Sequence, residues 1–214
     1  MAMSFTTLMG DKSTEGSIKY YVRHSEVPSA SILESAQGYI YSKLRTREMK
    51  KLLAGVTIAS GDTAIALPAD FQDPISLWLD RDYKQALSIL DEEHFEERVD
   101  RDSSGNLYQG TPCQCTMDAT TIYLDVAADQ TYYYRMWYYA TPAALSVSNE
   151  TNWLTARYPQ LLEAICKAYA YRHREDDASA DKWLQIGVAT IEDANAQYDQ
   201  FQQTIRQEAY WSRP

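Results

Sequence analysis

The side chains that most often carry out acid–base or nucleophilic chemistry are scattered through this sequence. The histidines His24, His94 and His173 lie in separate segments, and the sequence contains no HExxH motif and no close Cys–His pair. The glycine-rich GxGxxG and P-loop patterns, which bind phosphate groups, do not occur either. The sequence therefore predicts no catalytic residues, no cofactor and a protein that is not an enzyme.

The densest group of carboxylates runs from Asp91 to Glu97 and includes Glu92, Glu93 and Glu96. Two of these could form a glycosidase acid–base pair, but one would need an apolar pocket that raises its pKa. So many acids side by side are more typical of a solvated face, and we interpret the run in that way.

The cysteines Cys113, Cys115 and Cys166 are odd in number and irregularly spaced. This pattern argues against a disulfide framework and fits a reducing cytoplasm during assembly. Strand alternation would place Cys113 and Cys115 on one face, but no histidine lies nearby in the sequence. We therefore predict no metal site.

Composition and charge exclude several classes of protein. The 214 residues carry a formal net charge of −10, with a sequence pI of about 4.8. Affinity for phosphates comes mainly from Lys and Arg, so a nucleic-acid binder is disfavoured, although a wall past which DNA slides is not. No apolar run reaches the length of a membrane span, and the first ten residues lack the pattern of a secretory signal.

Aromatic residues are unusually frequent, with 17 tyrosines and 5 tryptophans. Such side chains are enriched at protein–protein interfaces. They could equally fill a β-rich core, and the sequence leaves both interpretations open.

The N-terminal part predicts helices. A helix is expected from Ser31, where Ser31 and Glu34 have the spacing of a capping box. Its apolar stripe comprises Ile32, Ala36, Ile40 and Leu44. Basic residues gather at the expected C-terminal end, where the helix dipole favours cations; these are Lys43, Arg45, Arg47, Lys50 and Lys51.

The middle of the chain changes to the period of strands. Short β-branched and aromatic runs separated by turns predict an antiparallel sheet over residues 53–141. The helical period returns with Pro159, which suits the first turn of a helix that is apolar nearly all round. A long helix is expected over residues 179–208, with its apolar stripe at Leu184, Val188, Ile191, Ala194, Tyr198, Phe201 and Ile205.

These elements predict an α+β fold, in which a helical bundle with a long C-terminal helix carries an inserted antiparallel β-domain. Residues 1–52 are expected to form the N-terminal helical part and residues 53–141 the insertion. Residues 142–208 would supply the C-terminal helices, and residues 209–214 a docking tail.

Several motifs together resemble the head-to-tail adaptor (connector) proteins of tailed bacteriophages. In chain order they are Leu44–Met49 (LRTREM), Ala66–Phe71 (ALPADF), Tyr138–Ser146 (YYATPAALS) and Asn149–Leu154 (NETNWL). The last, followed by Pro159 and the apolar helix, is the most specific. The resemblance covers about residues 28–200, although Cys166 and Lys167 stand in the buried helix where small apolar residues are expected.

The resemblance implies a structural subunit of the virion neck, made in the host cytoplasm. It implies a homo-oligomeric ring of twelve copies, with the portal protein above and tail, nozzle or tail-fibre proteins below. Genomic DNA would pass through without sequence-specific binding. Helices would form the body of the ring.

Two other functions remain open. The same helices and sheet would suit another tail-completion or fibre-docking protein of the virion, which ring stoichiometry would distinguish. A sugar-binding or peptidoglycan-cleaving module using the Tyr-rich sheet is the third possibility, which a zymogram would test.

Candidate partner-binding residues lie in two places. Tyr210, Trp211 and Arg213 follow a polar helix end, where aromatic side chains have no core of their own. Arg45, Arg47 and Lys50 belong to the basic group and are expected to face a neighbouring subunit or partner, with the acidic run Asp91–Glu97 as a possible mate. Trp153 is expected to be buried beneath the helix that follows it.

Overall fold

A computed structural model describes residues 3–80 and 84–211, and the side chains as far as residue 204. The chain divides into two compact units. The helical unit contains the residues up to Met49 and those from Pro142 onward. The sheet unit runs from Lys50 to Thr141.

The helical unit begins with short helices and ends with long ones. Its helices are α1 (Phe5–Leu8), α2 (Ile18–Val22), α3 (Ser29–Lys43), α5 (Trp153–Arg157), α6 (Pro159–His173) and α7 (Asp177–Trp211), and a 3-10 turn spans Arg47–Met49. Helix α6 packs against α2, α3 and α7. Its expected burial is confirmed, because Leu161, Leu162, Ile165 and Cys166 are fully enclosed.

Two details of α3 differ from the prediction. The helix begins at Ser29 after Pro28, with no side-chain cap, so the capping box at Ser31 is wrong. It ends at Lys43, because the backbone of Leu44 is already extended. The predicted stripe is confirmed, since Ile32, Ala36, Ile40 and Leu44 are all buried.

Within the described residues of the sheet unit, seven strands form one sheet in the order β1-β9-β3-β4-β6-β7-β2. A separate two-stranded pair is β5-β8, and α4 (Glu92–Glu96) precedes β5. The strands are β1 (Lys50–Ile58), β2 (Ala64–Ala66), β3 (Phe71–Asp80), β4 (Lys84–Ile89), β5 (Gln109–Gly110), β6 (Gln114–Met117), β7 (Thr121–Leu124), β8 (Ala127–Ala128) and β9 (Tyr132–Ala140).

The sheet is not wholly antiparallel, which corrects the prediction. Strands β4 and β6 pair in parallel through Ser88 with Gln114 and Ile89 with Cys115, and β5 pairs in parallel with β8. Parallel neighbours need a crossover of about a dozen residues or more. The segment 90–113, which includes α4, supplies that connection between β4 and β6.

One face of the sheet forms the core of this unit. Tyr134, Met136 and Tyr138 of β9 pack with Leu77 and Leu79 of β3, and all are almost completely buried. The mixed α+β class and the long C-terminal helix are confirmed. None of the described helices is both long and apolar enough to cross a membrane.

Candidate partner-binding surfaces

The outer face of the sheet is the first candidate surface, and strand β9 positions it. Successive side chains of a strand point to opposite faces. Tyr132, Tyr134, Met136 and Tyr138 are therefore buried, whereas Tyr133 and Trp137 are exposed on the other side. The tyrosines of this strand are therefore found both in the core and on the surface.

The register of the neighbouring strands extends this face. Leu52 of β1 lies opposite Trp137, and Trp78 of β3 lies opposite Arg135. Trp78, Trp137 and Tyr133 are 38%, 42% and 57% exposed. Large exposed apolar side chains grouped together usually mark a site of interaction. We call Leu52, Trp78, Tyr133 and Trp137 the aromatic face.

An ion pair lies among these aromatic side chains. The guanidinium of Arg135 donates from Nε and Nη2 to Asp80 Oδ2, at 2.8 and 2.5 Å. Both side chains are partly exposed, so the pair adds little to stability. Its effect is to hold Arg135 in place on the outer face, across the strand from Trp78.

Arg45, one of the predicted partner-binding residues, has contacts within its own unit. Its Nη1 donates to the carbonyls of Tyr41 and Leu44, at 3.1 and 2.8 Å, and so caps the C-terminal end of α3. Asn195 of α7 completes the cap, because its side chain accepts from the Arg45 N–H at 2.7 Å and donates to the Lys43 carbonyl at 3.0 Å.

Arg47 is more exposed and forms a small ionic group. Glu48 accepts from Nε of Arg47, and it pairs equally with Nε of Arg157, both at 3.1 Å. Burial raises the pKa of Glu48, but the contacts with the two arginines and other hydrogen bonds outweigh it and leave the pKa below its ordinary value. The guanidinium groups of Arg47 and Arg157 stay largely open to solvent.

Lys50 and Lys51 do not follow a helix end, as the sequence predicted, but open strand β1. Strand pairing with β9 outweighs the local helix propensity of Lys, Leu and Ala. Lys50 lies opposite Tyr139 and is half-buried. Lys51 donates to Asp70 at 2.6 Å. The basic group that the sequence predicted at one helix end is therefore divided between the two units, with Lys50 and Lys51 in the sheet unit.

The candidate residues at the C-terminus lie at the limit of the described chain. The backbone of α7 continues through Tyr210 to Trp211. Arg213 lies outside the described residues. The partner-binding role of these three remains a prediction.

The motif at Asn149–Leu154 has a structural explanation. Asn149 donates to the carbonyls of Ala143 and Ala144, and Asn152 caps α5 in a capping box with Thr155. Asn152 also donates to the hydroxyl of Tyr41 at 3.2 Å. Both asparagines thus fix the entry of the chain into α5 and α6.

The remaining candidates for chemistry have ordinary structural roles. Asp91 caps α4 and pairs with His94 at 2.8 Å. Cys113 is exposed just before β6, whereas Cys115 is buried in the strand. Burial raises the pKa of the Cys115 and Cys166 thiols to about 12. Among the described residues, no His, Cys, Asp and Glu side chains are grouped to hold a metal ion.

Sequence reasoning missed the aromatic face, although a signal for it exists. The sequence predicts a strand here, but each position of Tyr132–Tyr139 carries an aromatic or long side chain, so the residue types do not separate core from surface positions. The cross-strand partners Leu52 and Trp78 become apparent only from the register.

A family model described as SU10 adaptor protein matches residues 5–214. No curated protein matches the chain.

Proposed function

The chain belongs to the SU10 adaptor protein family, and we propose that it is a structural head-to-tail adaptor of a bacteriophage virion. In this proposal it forms a ring between the portal protein and the tail or nozzle proteins, and DNA passes through the ring. The observation that carries the proposal is the family match along nearly the whole chain. The protein would reside in the virion neck after assembly in the host cytoplasm.

Partner binding is the activity that the surfaces support best. The aromatic face presents Trp and Tyr side chains, which carry much of the binding energy at protein interfaces. We propose that Tyr210, Trp211 and Arg213 dock on the portal or on a neighbouring copy, and that Arg45, Arg47 and Lys50 lie near such contacts. For Arg45, the contribution would be indirect, because its guanidinium caps α3.

The proposed ring is a homo-oligomer, with twelve copies as the expected number. Its charge suits a channel for DNA, because the formal net charge of each copy is −10. A duplex carries one negative charge per ~1.7 Å of axis, so an acidic or neutral wall would let it slide without adhering.

Cross-linking of purified virions, followed by mass spectrometry of the linked peptides, tests this function. We expect cross-links from this chain to the portal protein and to a tail or nozzle protein. Cross-links only to capsid or only to distal fibre proteins would contradict the proposal.

A second candidate, a tail-completion or fibre-docking protein, is favoured by the aromatic face of the sheet unit. Both functions need partner binding, but a fibre-docking protein does not need a closed ring. The number of copies around the portal therefore distinguishes the two.

A further inference from the structure

The sheet unit contains a groove made of two adjoining cavities, of about 780 and 790 Å³. Glu92, Thr116, Met117 and Asp118 line both, so the two cavities adjoin. Helix α4 forms one wall, and the β6–β7 hairpin forms the other. We call this feature the acidic groove.

Part of the groove lining is apolar, and we call this part the floor. Phe71, Ile89 and Met117 line it without being fully covered, and Ile89 is 38% exposed. An apolar floor of this kind favours an occupant that brings a hydrophobic side chain.

The rim of the groove is negative. Asp91, Glu92, Glu93, Glu96 and Asp118 line the two cavities, against the single basic side chain of Arg101. Nη2 of Arg101 lies 3.8 Å from Oε1 of Glu96, and both side chains are exposed. Within the described part of the chain, Glu92 and Glu93 form no ion pair. The groove therefore favours a basic occupant.

The helical unit carries a surface of the opposite charge, which also exposes an apolar side chain. A notch of about 180 Å³ is lined by Arg47, Arg157, Tyr198 and Phe201, among other residues. Phe201 is 47% exposed although it continues the apolar stripe of α7. Among the side chains that the structure describes, the two arginines pair with Glu48 alone, which leaves one positive charge in excess. We call Arg47, Arg157 and Phe201 the basic patch.

We propose that copies of this chain associate head to tail, with the exposed side chains of the basic patch of one copy facing the acidic groove of the next. Phe201 would contact the apolar floor, and the arginines would face Glu92 and Glu93. The inference rests on the proposed ring and names the surfaces that build it. Because the contact joins two different surfaces, a pair of copies still has one unoccupied groove and one unoccupied patch. Further copies can therefore add until a ring closes.

A second copy is favoured over other occupants because the same chain presents both complementary surfaces. The negative rim repels DNA. A basic peptide from another virion protein is the alternative occupant, and it would leave association between copies independent of both surfaces.

Charge reversal on each surface tests the proposal. The groove variant combines Glu92→Lys with Glu93→Lys, and the patch variant combines Arg47→Glu with Arg157→Glu. The control combines Glu34→Lys with Glu192→Lys, which changes the net charge as the groove variant does, at exposed positions outside the groove. Sedimentation velocity over a concentration series, at low and high salt, measures association of the full-length chains.

We expect the wild-type and control proteins to associate. Each surface variant should associate with an affinity that is lower by about tenfold or more. An equal mixture of the groove and patch variants should regain association, because each reversed surface then meets its opposite. Should the patch variant fail to fold, as judged by thermal unfolding, Phe201→Gln replaces it and is expected to weaken association without altering charge.

Three results would overturn the inference: a monomeric wild-type protein at every concentration, surface variants that associate as the wild type does, or folded variants whose mixture does not recover. Cross-links of the wild-type chain to the portal would still support the proposed function in each case. Loss of those cross-links while copies still associate through the groove would overturn the function and leave the contact.

Discussion

Lys167 is the residue whose place in a buried helix was hardest to understand from the sequence. Its ammonium lies 4.1 Å from the ring centre of Trp183 and 4.3 Å from that of Tyr21, and 2.6 Å from an oxygen of Glu163. Cation–π contacts and an i,i+4 ion pair thus satisfy the charge. The pair with Glu163 is visible in the sequence, but no local pattern could have predicted the cation–π contacts, because Tyr21 and Trp183 come from other helices.

Asp70 in the LPADF segment links two strands of the sheet. It accepts from Lys51 at 2.6 Å and from the hydroxyl of Tyr138 at 2.9 Å. Burial raises the pKa of Asp70, but these hydrogen bonds outweigh it and hold the pKa below its ordinary value. We expect Asp70→Ala to lower the free energy of unfolding by about 1.5–3 kcal/mol at neutral pH, because it removes hydrogen bonds to a charged group.

This contribution depends on pH in a predictable direction. Because the pKa of Asp70 is depressed in the folded state, its stabilisation is complete above the ordinary value of 3.8 and is lost as the pH falls below it. Urea unfolding between neutral pH and about pH 2 measures the effect. The difference between wild type and Asp70→Asn should shrink at acid pH, and a constant difference would contradict the assignment.

Trp153 is not buried as the sequence predicted. It is the first residue of α5 and only half-buried, with its ring edge-on to Tyr158 at 6.2 Å, whereas Leu154 is fully enclosed. The enclosed side chain at this point of the chain is therefore Leu154 and not Trp153. We expect Leu154→Ala to cost about 2–5 kcal/mol and Trp153→Ala clearly less. Thermal unfolding of both variants checks the order, and the reverse order would be inconsistent with this packing.

At the scale of elements, the helices were easier to predict than the sheet. The apolar stripe of α7 can be read from residues that are close together in the sequence. Ile191, Ala194 and Tyr198 of this stripe are buried as expected. The helix spans 35 residues, or about 50 Å, and begins two residues before the predicted start. Ile205 lies beyond the described side chains.

The sheet depended on pairings that are distant in the sequence. Residues Phe71–Pro74 belong to β3, although proline is rare inside strands, and the register shifts near Pro74. Proline is tolerated there because β4 pairs only with Leu77–Asp80, which leaves this end of β3 free on one side. Gly55 lies at a bulge of β1 with φ of +75°, a backbone conformation that favours glycine.

The contact between α6 and α7 is close enough to require glycine. A Cβ atom at Gly187 would lie 2.3 Å from Cδ1 of Ile165, whereas one at Gly38 of α3 would meet nothing within 4 Å. We expect Gly187→Ala to destabilise the protein by about 1–3 kcal/mol through overpacking. The matched control Gly38→Ala should stabilise it by about 0.5–1 kcal/mol.

A double-mutant cycle measures this contact directly by thermal or urea unfolding. Ile165→Val removes the clashing methyl group, so it should cost less in the Gly187→Ala background than in the wild type. Additive effects of the two substitutions would indicate that the helices do not approach closely at Gly187.

At the scale of the whole molecule, the sequence predicted the family through ordered motifs, while composition alone indicated only an acidic globular protein.

The partner-binding role of the C-terminal residues Tyr210, Trp211 and Arg213 is a prediction from the sequence. We expect deletion of residues 208–214 to leave the thermal unfolding temperature nearly unchanged and to weaken binding to the portal protein, because aromatic anchors dominate many interfaces. The full-length variant with Tyr210→Ala and Trp211→Ala separates the effect of these side chains from that of length. Undiminished binding by the truncated chain would argue against a docking tail.

The native mass of the protein, by itself and mixed with its portal protein, tests the central claim most directly. A ring adaptor should form a complex with the portal whose mass corresponds to a closed ring of copies, with twelve expected. Native mass spectrometry resolves that number without a structure of the complex. A mixture in which the portal keeps its own mass, or gains only one or two copies of this chain at saturation, would contradict the account.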